Sequence, residues 1–216
     1  MTSPFAGKRL RFTPLALTTV LLSAGLLSMS VTGTLSGFTA AITNSVNSAA
    51  TGSLVMQETG PDSTGAPITC TSTDGGSLNN IATCATINKF GGSTTMVPGG
   101  APVSTTVTIK NAGSVRANTF TLTPGTTCTQ TGTVSGSASD LCGKLKLTIT
   151  QQGNATNLFS DTLTNFAASA GTPIALPAVA PGDSATFTFA VTLDGSANNT
   201  YQGLKASMPM TWTFAS

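Results

Sequence analysis

Apolar and hydroxylated side chains alternate along several stretches of the chain with a period of two residues. The alternation is most regular in Ser184–Asp194 and recurs in Val103–Lys110, Lys144–Thr150 and Met208–Phe214. A period of two places successive side chains on opposite faces of a strand, so that one face is buried and the other is wetted. This behaviour is typical of antiparallel sheets packed face to face. Shorter segments of similar composition are further strand candidates: Leu54–Glu58, Ile68–Ser72, Ala85–Phe90, Thr119–Thr123 and Leu158–Leu163.

Turn signals rich in proline and glycine separate these strands, and no amphipathic helix is recognisable in the mature part of the chain. We therefore predict an all-β fold, an antiparallel β-sandwich of jelly-roll or Ig-like type. It forms one domain, residues 37–216, after an N-terminal signal helix. Within it, residues 59–101 hold few apolar side chains and much Gly, Ser and Thr. We interpret them as a loop-rich or hairpin excursion.

Residues 1–36 have the organisation of a secretory signal peptide. A basic run, Lys8–Arg11, precedes an apolar stretch from Leu15 to Val31. Thr34 and Ser36 supply the small residues that signal peptidase needs, which predicts cleavage between Ser36 and Gly37. The alternative is an uncleaved segment that anchors the chain in a membrane. In either case we expect the rest of the protein to be secreted or held at the cell surface.

The segment that cleavage would free, residues 37–46, has an apolar face of its own. Phe38, Ala40, Ile42 and Val46 share the spacing of one side of a strand. Such a strand needs a partner, and two are possible. It can pair within its own domain, or it can act as a donor strand that fills a groove in another subunit.

Four cysteines form two local pairs of equal spacing. An even number of cysteines in an exported chain predicts disulfides. Three connectivities are possible, and the favoured one joins Cys70 to Cys84 and Cys128 to Cys142. A metal site does not fit, because the chain lacks both a CxxC motif and a histidine.

Charge is scarce along the whole chain. Only 7% of the residues are charged, against roughly 25% in ordinary globular proteins. Three of the nine basic residues lie in the leader, which leaves six basic against seven acidic residues, a net charge of −1. The remaining basic residues are dispersed, so we expect no nucleic-acid partner.

The sequence offers no recognisable catalytic constellation. The absence of histidine excludes His-based acid–base catalysis and the Ser–His triad. The acidic residues are scattered, and Asp194–Asn199 has oxygen ligands but no EF-hand pattern, so a turn is the better interpretation. We therefore predict a protein that is not an enzyme and that uses no cofactor or metal.

Several short motifs follow one another in a recognisable order. They are Thr34–Phe38 at the end of the leader, Ala50–Leu54, Val97–Gly100, Asn111–Ser114, and Tyr201–Gly203 ahead of Met208–Phe214. In this order they resemble the TasA/camelysin family of exported bacterial matrix proteins. Gly100 stands where that family has an acidic residue. The four cysteines and the 59–101 excursion also lie outside the family pattern.

The resemblance implies a jelly-roll sandwich, cleavage by a SipW-type signal peptidase and assembly into extracellular fibres. It also implies that residues 37–46 act as the donor strand. From this we predict a structural protein of the cell surface or biofilm matrix that associates with itself. The alternative is a monomeric surface adhesin or binding module, although one Trp and one Tyr provide little aromatic surface for sugar binding.

Overall fold

The structure of the protein is a computed structural model that describes residues 48–76, 80–92, 94–132 and 137–216. The chain divides into two compact units, Met1–Ala49 and Ala50–Ser216, and the fold below is that of the second. The leader, its cleavage site and the predicted donor strand lie outside the described residues: residues 1–36, Ser36, Gly37, Phe38, Ala40, Ile42 and Val46.

The described chain is built mainly of β-strands. The strands are β1 (Met56–Pro61), β2 (Pro67–Thr71), β3 (Val103–Asn111), β4 (Thr119–Pro124), β5 (Thr129–Thr131), β6 (Leu145–Gln151), β7 (Phe159–Thr162), β8 (Ile174–Leu176), β9 (Ser184–Leu193), β10 (Lys205–Ser207) and β11 (Met210–Ala215). The helices are α1 (Leu141–Lys144) and α2 (Leu163–Ala168), and single 3-10 turns cover Ser169–Gly171 and Asn199–Tyr201.

Two sheets make up the body of the domain, and all of their strands pair antiparallel. The larger sheet has the order β2-β1-β3-β9-β6-β7, and the smaller one has the order β11-β4-β8. Strands β10 and β5 form a separate two-stranded ribbon. The predicted all-β antiparallel sandwich is therefore confirmed.

The apolar positions of the alternating segments lie mainly in the core, and the hydroxylated positions lie mainly on the surface. Phe187, Phe189 and Val191 of β9 are fully buried. The intervening threonines lie on the outer face, where Thr188 pairs with Thr106 of β3. Aromatic rings join the two sheets across the core: Phe120 of β4 meets Phe187 edge-on, with ring centroids 5.8 Å apart.

Two predicted strand segments differ from the structure. Ala85–Phe90 forms no strand: it is extended coil in which Ile87 alone is buried. Within the segment Leu158–Leu163, only Phe159–Thr162 is strand, and α2 begins at Leu163. The Thr162 hydroxyl accepts a hydrogen bond from the Asn165 backbone N–H at 3.2 Å, which is a typical N-cap. Leu163 and Phe166, three residues apart, then point into the core, so the prediction of no helix was wrong here.

Both predicted disulfides are present. Cys70–Cys84 and Cys128–Cys142 have Cα–Cα separations of 6.0 and 6.1 Å. The first ties β2 to the coil that follows it, and the second ties the start of β5 to α1. Residues 59–101 include the second half of β1, all of β2 and a coil that the first disulfide holds.

A buried asparagine organises the connection between the sheets. Asn111, at the end of β3, is fully buried, and its Nδ2 donates to the carbonyl oxygens of Val115 at 2.8 Å and Val179 at 3.1 Å. Its Oδ1 accepts from the Gly113 backbone N–H at 3.0 Å. One side chain therefore satisfies backbone groups of the β3–β4 connection and of the β8–β9 connection, where unpaired polar groups would be costly.

We predict that Asn111→Ala lowers the free energy of unfolding by about 2 kcal/mol, because the Val115 carbonyl and the Gly113 N–H lose their side-chain partner, while the Val179 carbonyl keeps the Ala117 N–H. Denaturant unfolding with the disulfides intact measures the loss. Asn118→Ala, at an exposed position seven residues further on, is the matched control and is expected to stay within about 0.5 kcal/mol of the parent. Equal stability of the two variants would contradict the role given to Asn111.

Candidate functional site: an open groove beside an edge strand

Strand β11 lies at the edge of the smaller sheet. It pairs with β4 along its full length, from Met210 opposite Pro124 to Ala215 opposite Thr119. Within the part of the chain that the structure describes, no strand pairs with its other edge. That edge presents backbone N–H and C=O groups that are free to pair with a further strand.

An apolar groove runs beside this free edge. Its volume is about 1140 Å³, and its lining includes side chains from β1, from β11 and from the coil between β2 and β3. Its main apolar side chains are Leu54, Met56, Ile87, Phe90, Met210 and Trp212. Met210, Trp212 and Phe214 alternate along the inner face of β11 but are only half-buried, whereas Phe187, Phe189 and Val191 of β9 are fully buried. Among the described residues, no segment covers the sandwich along β11.

The coil that follows β2 forms the opposite wall of the groove. The Asn88 backbone N–H donates to the Pro61 carbonyl at 2.9 Å, and Asn80 Nδ2 donates to the Leu54 carbonyl at 3.0 Å. The disulfide fixes the same coil through Cys84. A Cβ on Gly60 would lie 2.9 Å from Ile87 Cγ2, so a glycine at this point of β1 lets Ile87 seat against the strand.

A buried ion pair lies in this otherwise apolar lining. Glu58 is 8% exposed, and its Oε1 lies 2.7 Å from Lys89 Nζ. The same oxygen accepts a hydrogen bond from Trp212 Nε1 at 3.0 Å. Glu58 and Lys89 are the charged side chains among the described residues that line the groove. Three segments distant in sequence thus converge on one carboxylate oxygen.

Sequence analysis missed this cluster, although one signal for it was present. In the predicted strand Leu54–Glu58, the even positions are Leu54, Met56 and Glu58. Period-two spacing therefore places a carboxylate on the buried face, where an acid is almost never found unless it is paired. The sequence gives no corresponding signal for Lys89, because its coil has no regular period.

The other acidic side chains among the described residues do not line the groove. Asp194 Oδ2 pairs with exposed Lys146 at 3.0 Å, and its Oδ1 accepts from the Ser196 N–H and hydroxyl, as expected for a turn. Hydrogen bonds from Ser196 and then from Lys146 hold the pKa of Asp194 well below its usual value. Tyr201 donates to Asp140 at 2.6 Å, and this bond raises the pKa of the phenol.

The structure brings together only some of the residues that the sequence singled out. Cys70 and Cys84 lie in the groove lining, whereas Cys128 and Cys142 do not belong to it. No group of three potential metal ligands occurs among the described residues. Nor does any helix in the described part of the chain have the length and apolar character needed to cross a membrane.

Neither a protein-family model nor a curated protein sequence matches this chain. The groove and its ion pair therefore carry the functional argument.

We predict that Lys89→Met lowers the free energy of unfolding by about 3 kcal/mol, because it leaves the Glu58 carboxylate buried without its counter-ion. Adding Glu58→Gln should restore most of the loss, since the glutamine Oε1 can still accept from Trp212 and no buried charge remains. Denaturant unfolding followed by Trp212 fluorescence measures both steps.

The matched control is Lys146→Met, which removes the lysine of the exposed Asp194 pair. The Lys146 side chain is 59% exposed, and solvent-exposed pairs contribute little to stability. The role given to Glu58–Lys89 is wrong if Lys89→Met costs no more than Lys146→Met, or if Glu58→Gln deepens the loss instead of relieving it.

Proposed function

We propose that this protein is an exported structural subunit of the cell surface or of an extracellular matrix, and that it assembles into fibres by donor-strand exchange. In this proposal residues 37–46 of one subunit lie in the groove beside β11 of the next. Signal peptidase frees the donor during export, and the protein associates with copies of itself. The observation that carries the proposal is the apolar groove that the described residues leave open beside the edge of β11.

Groove and donor complement each other in length and chemistry. Strand β11 has six residues, and the donor segment of ten residues is long enough to run along its whole free edge at about 3.4 Å per residue. Main-chain hydrogen bonds to that edge would supply affinity, and alternate side chains would supply specificity. Phe38 and Ile42 would cover Trp212 and Met210, which are only half-buried in the described chain.

The two disulfides support export. Disulfides form and persist in oxidising compartments outside the cytoplasm, and all four cysteines of this chain are paired in two bridges. This agrees with the leader in residues 1–36. The order of motifs shared with the TasA/camelysin family supports the same assignment to secreted matrix fibres.

We predict that Phe38→Asp and Ile42→Asp each abolish fibre growth by the mature protein, because a carboxylate on the apolar face of the donor cannot enter the groove without a large desolvation cost. Electron microscopy and light scattering after incubation of the secreted protein measure the effect. Thr39→Asp and Thr43→Asp, on the opposite face of the same segment, are the matched controls and should still assemble.

Two results would contradict the proposal. One is a parent protein that stays monomeric at every concentration, which would favour the alternative of a monomeric surface adhesin. The other is fibre growth that is equally impaired by substitutions on both faces of the donor segment.

A further inference from the structure

We infer that Asn44 fixes the register of the donor strand by bonding to the buried Glu58–Lys89 pair of the neighbouring subunit. This inference rests on the proposed donor-strand function and adds the specificity-determining contact of the same groove. It comes from two irregularities, one in the sequence of the donor segment and one in the lining of the groove.

The first irregularity is a polar residue on the apolar face of the donor. With period-two spacing, the residues on that face are Phe38, Ala40, Ile42, Asn44 and Val46. Four of these five side chains are apolar, and the exception is the carboxamide of Asn44. A buried side chain of this kind is costly unless it finds a hydrogen-bonding partner.

The second irregularity is the ion pair in the groove. Glu58 and Lys89 face each other at 2.7 Å, with side chains that are 11% and 12% exposed. An incoming strand would remove the remaining water from both groups. An apolar side chain placed over them would compensate for none of that lost hydration, and burial of charge without compensation is strongly unfavourable.

The Glu58–Lys89 pair has further hydrogen-bonding capacity, and an asparagine carboxamide can use it. The Lys89 ammonium has three N–H donors, and one of them is directed at Glu58 Oε1. The Glu58 carboxylate has a second oxygen besides the one shared by Lys89 and Trp212. An asparagine can accept from Lys89 through Oδ1 and donate to Glu58 through Nδ2 at the same time.

The consequence is a single preferred register. Sliding the donor by two residues would keep its apolar face inward but would bring Ile42 or Val46 over the ion pair. A single buried asparagine fixes the alignment of helices in coiled coils by the same principle, at a cost in stability. Here it would select one of several registers that the alternating pattern alone allows.

The test is a competition experiment with synthetic peptides of residues 37–46, added to the full mature protein during fibre growth. Three peptides are compared: the parent, Asn44→Val and Ser45→Val, the last on the opposite face as the matched control. Each is assayed on the parent protein and on the Glu58→Gln/Lys89→Met variant, which keeps an acceptor for Trp212 but removes the ion pair.

On the parent protein we expect the Asn44→Val peptide to inhibit growth about tenfold more weakly than the other two, because it leaves a buried charged pair unsatisfied. On the Glu58→Gln/Lys89→Met variant that difference should fall to about twofold or less. If the variant folds poorly, the comparison of the three peptides on the parent protein alone tests the role of Asn44.

The inference is overturned if the Asn44→Val peptide inhibits the parent protein as well as the parent peptide does. It is also overturned if the tenfold difference persists unchanged in the variant. Failure of every peptide to affect fibre growth would instead refute the proposed donor-strand function itself, and the inference with it.

Discussion

The indole of Trp212 packs between the aromatic core of the sandwich and the buried carboxylate of Glu58. Its ring centroid lies 4.8 Å from that of Phe187 and 5.7 Å from that of Phe120, while Nε1 donates to Glu58. The ring therefore joins β11 to the larger sheet through both apolar and polar contacts. Because it is only half-buried, the same side chain also marks where the closed core ends and the open groove begins. This one side chain therefore connects β11, which is held to β4 by its backbone pairing, with the groove and the ion pair.

The long strands could be predicted closely from sequence, because their two faces differ in chemistry over many residues. The alternation predicted Ser184–Asp194, and β9 covers Ser184–Leu193. The alternation predicted a strand wrongly at Ala85–Phe90, where side chains alternate but the backbone pairs with no strand. This segment buries Ile87 as a strand would, yet it is held by the disulfide and by single hydrogen bonds. Short strands gave no signal either, since the three residues of β5, β8 or β10 are too few to establish a period.

The candidate site was harder to predict from the sequence, for a different reason. Glu58 and Trp212 are separated by 154 residues, and no local pattern connects positions so far apart. The apolar register of β11 was predicted, including Trp212 on its inner face. What could not be predicted is that no described strand covers that face, because this depends on the order of strands in the smaller sheet rather than on the composition of any one of them.

The four edges of the two main sheets in the described chain differ in how well they are protected against pairing with a further strand. Natural proteins protect edge strands by shortness, by proline or by charge. Strand β8 has only three residues, β2 begins with Pro67, and β7 carries Asp161. Strand β11, Met-Thr-Trp-Thr-Phe-Ala, is six residues long and contains neither a charge nor a proline. In a chain with so few charged residues, a bare edge next to an open apolar groove is a hazard for uncontrolled association unless one specific strand covers it. A polar contact inside the groove would restrict that association to a strand with the right side chain in the right place.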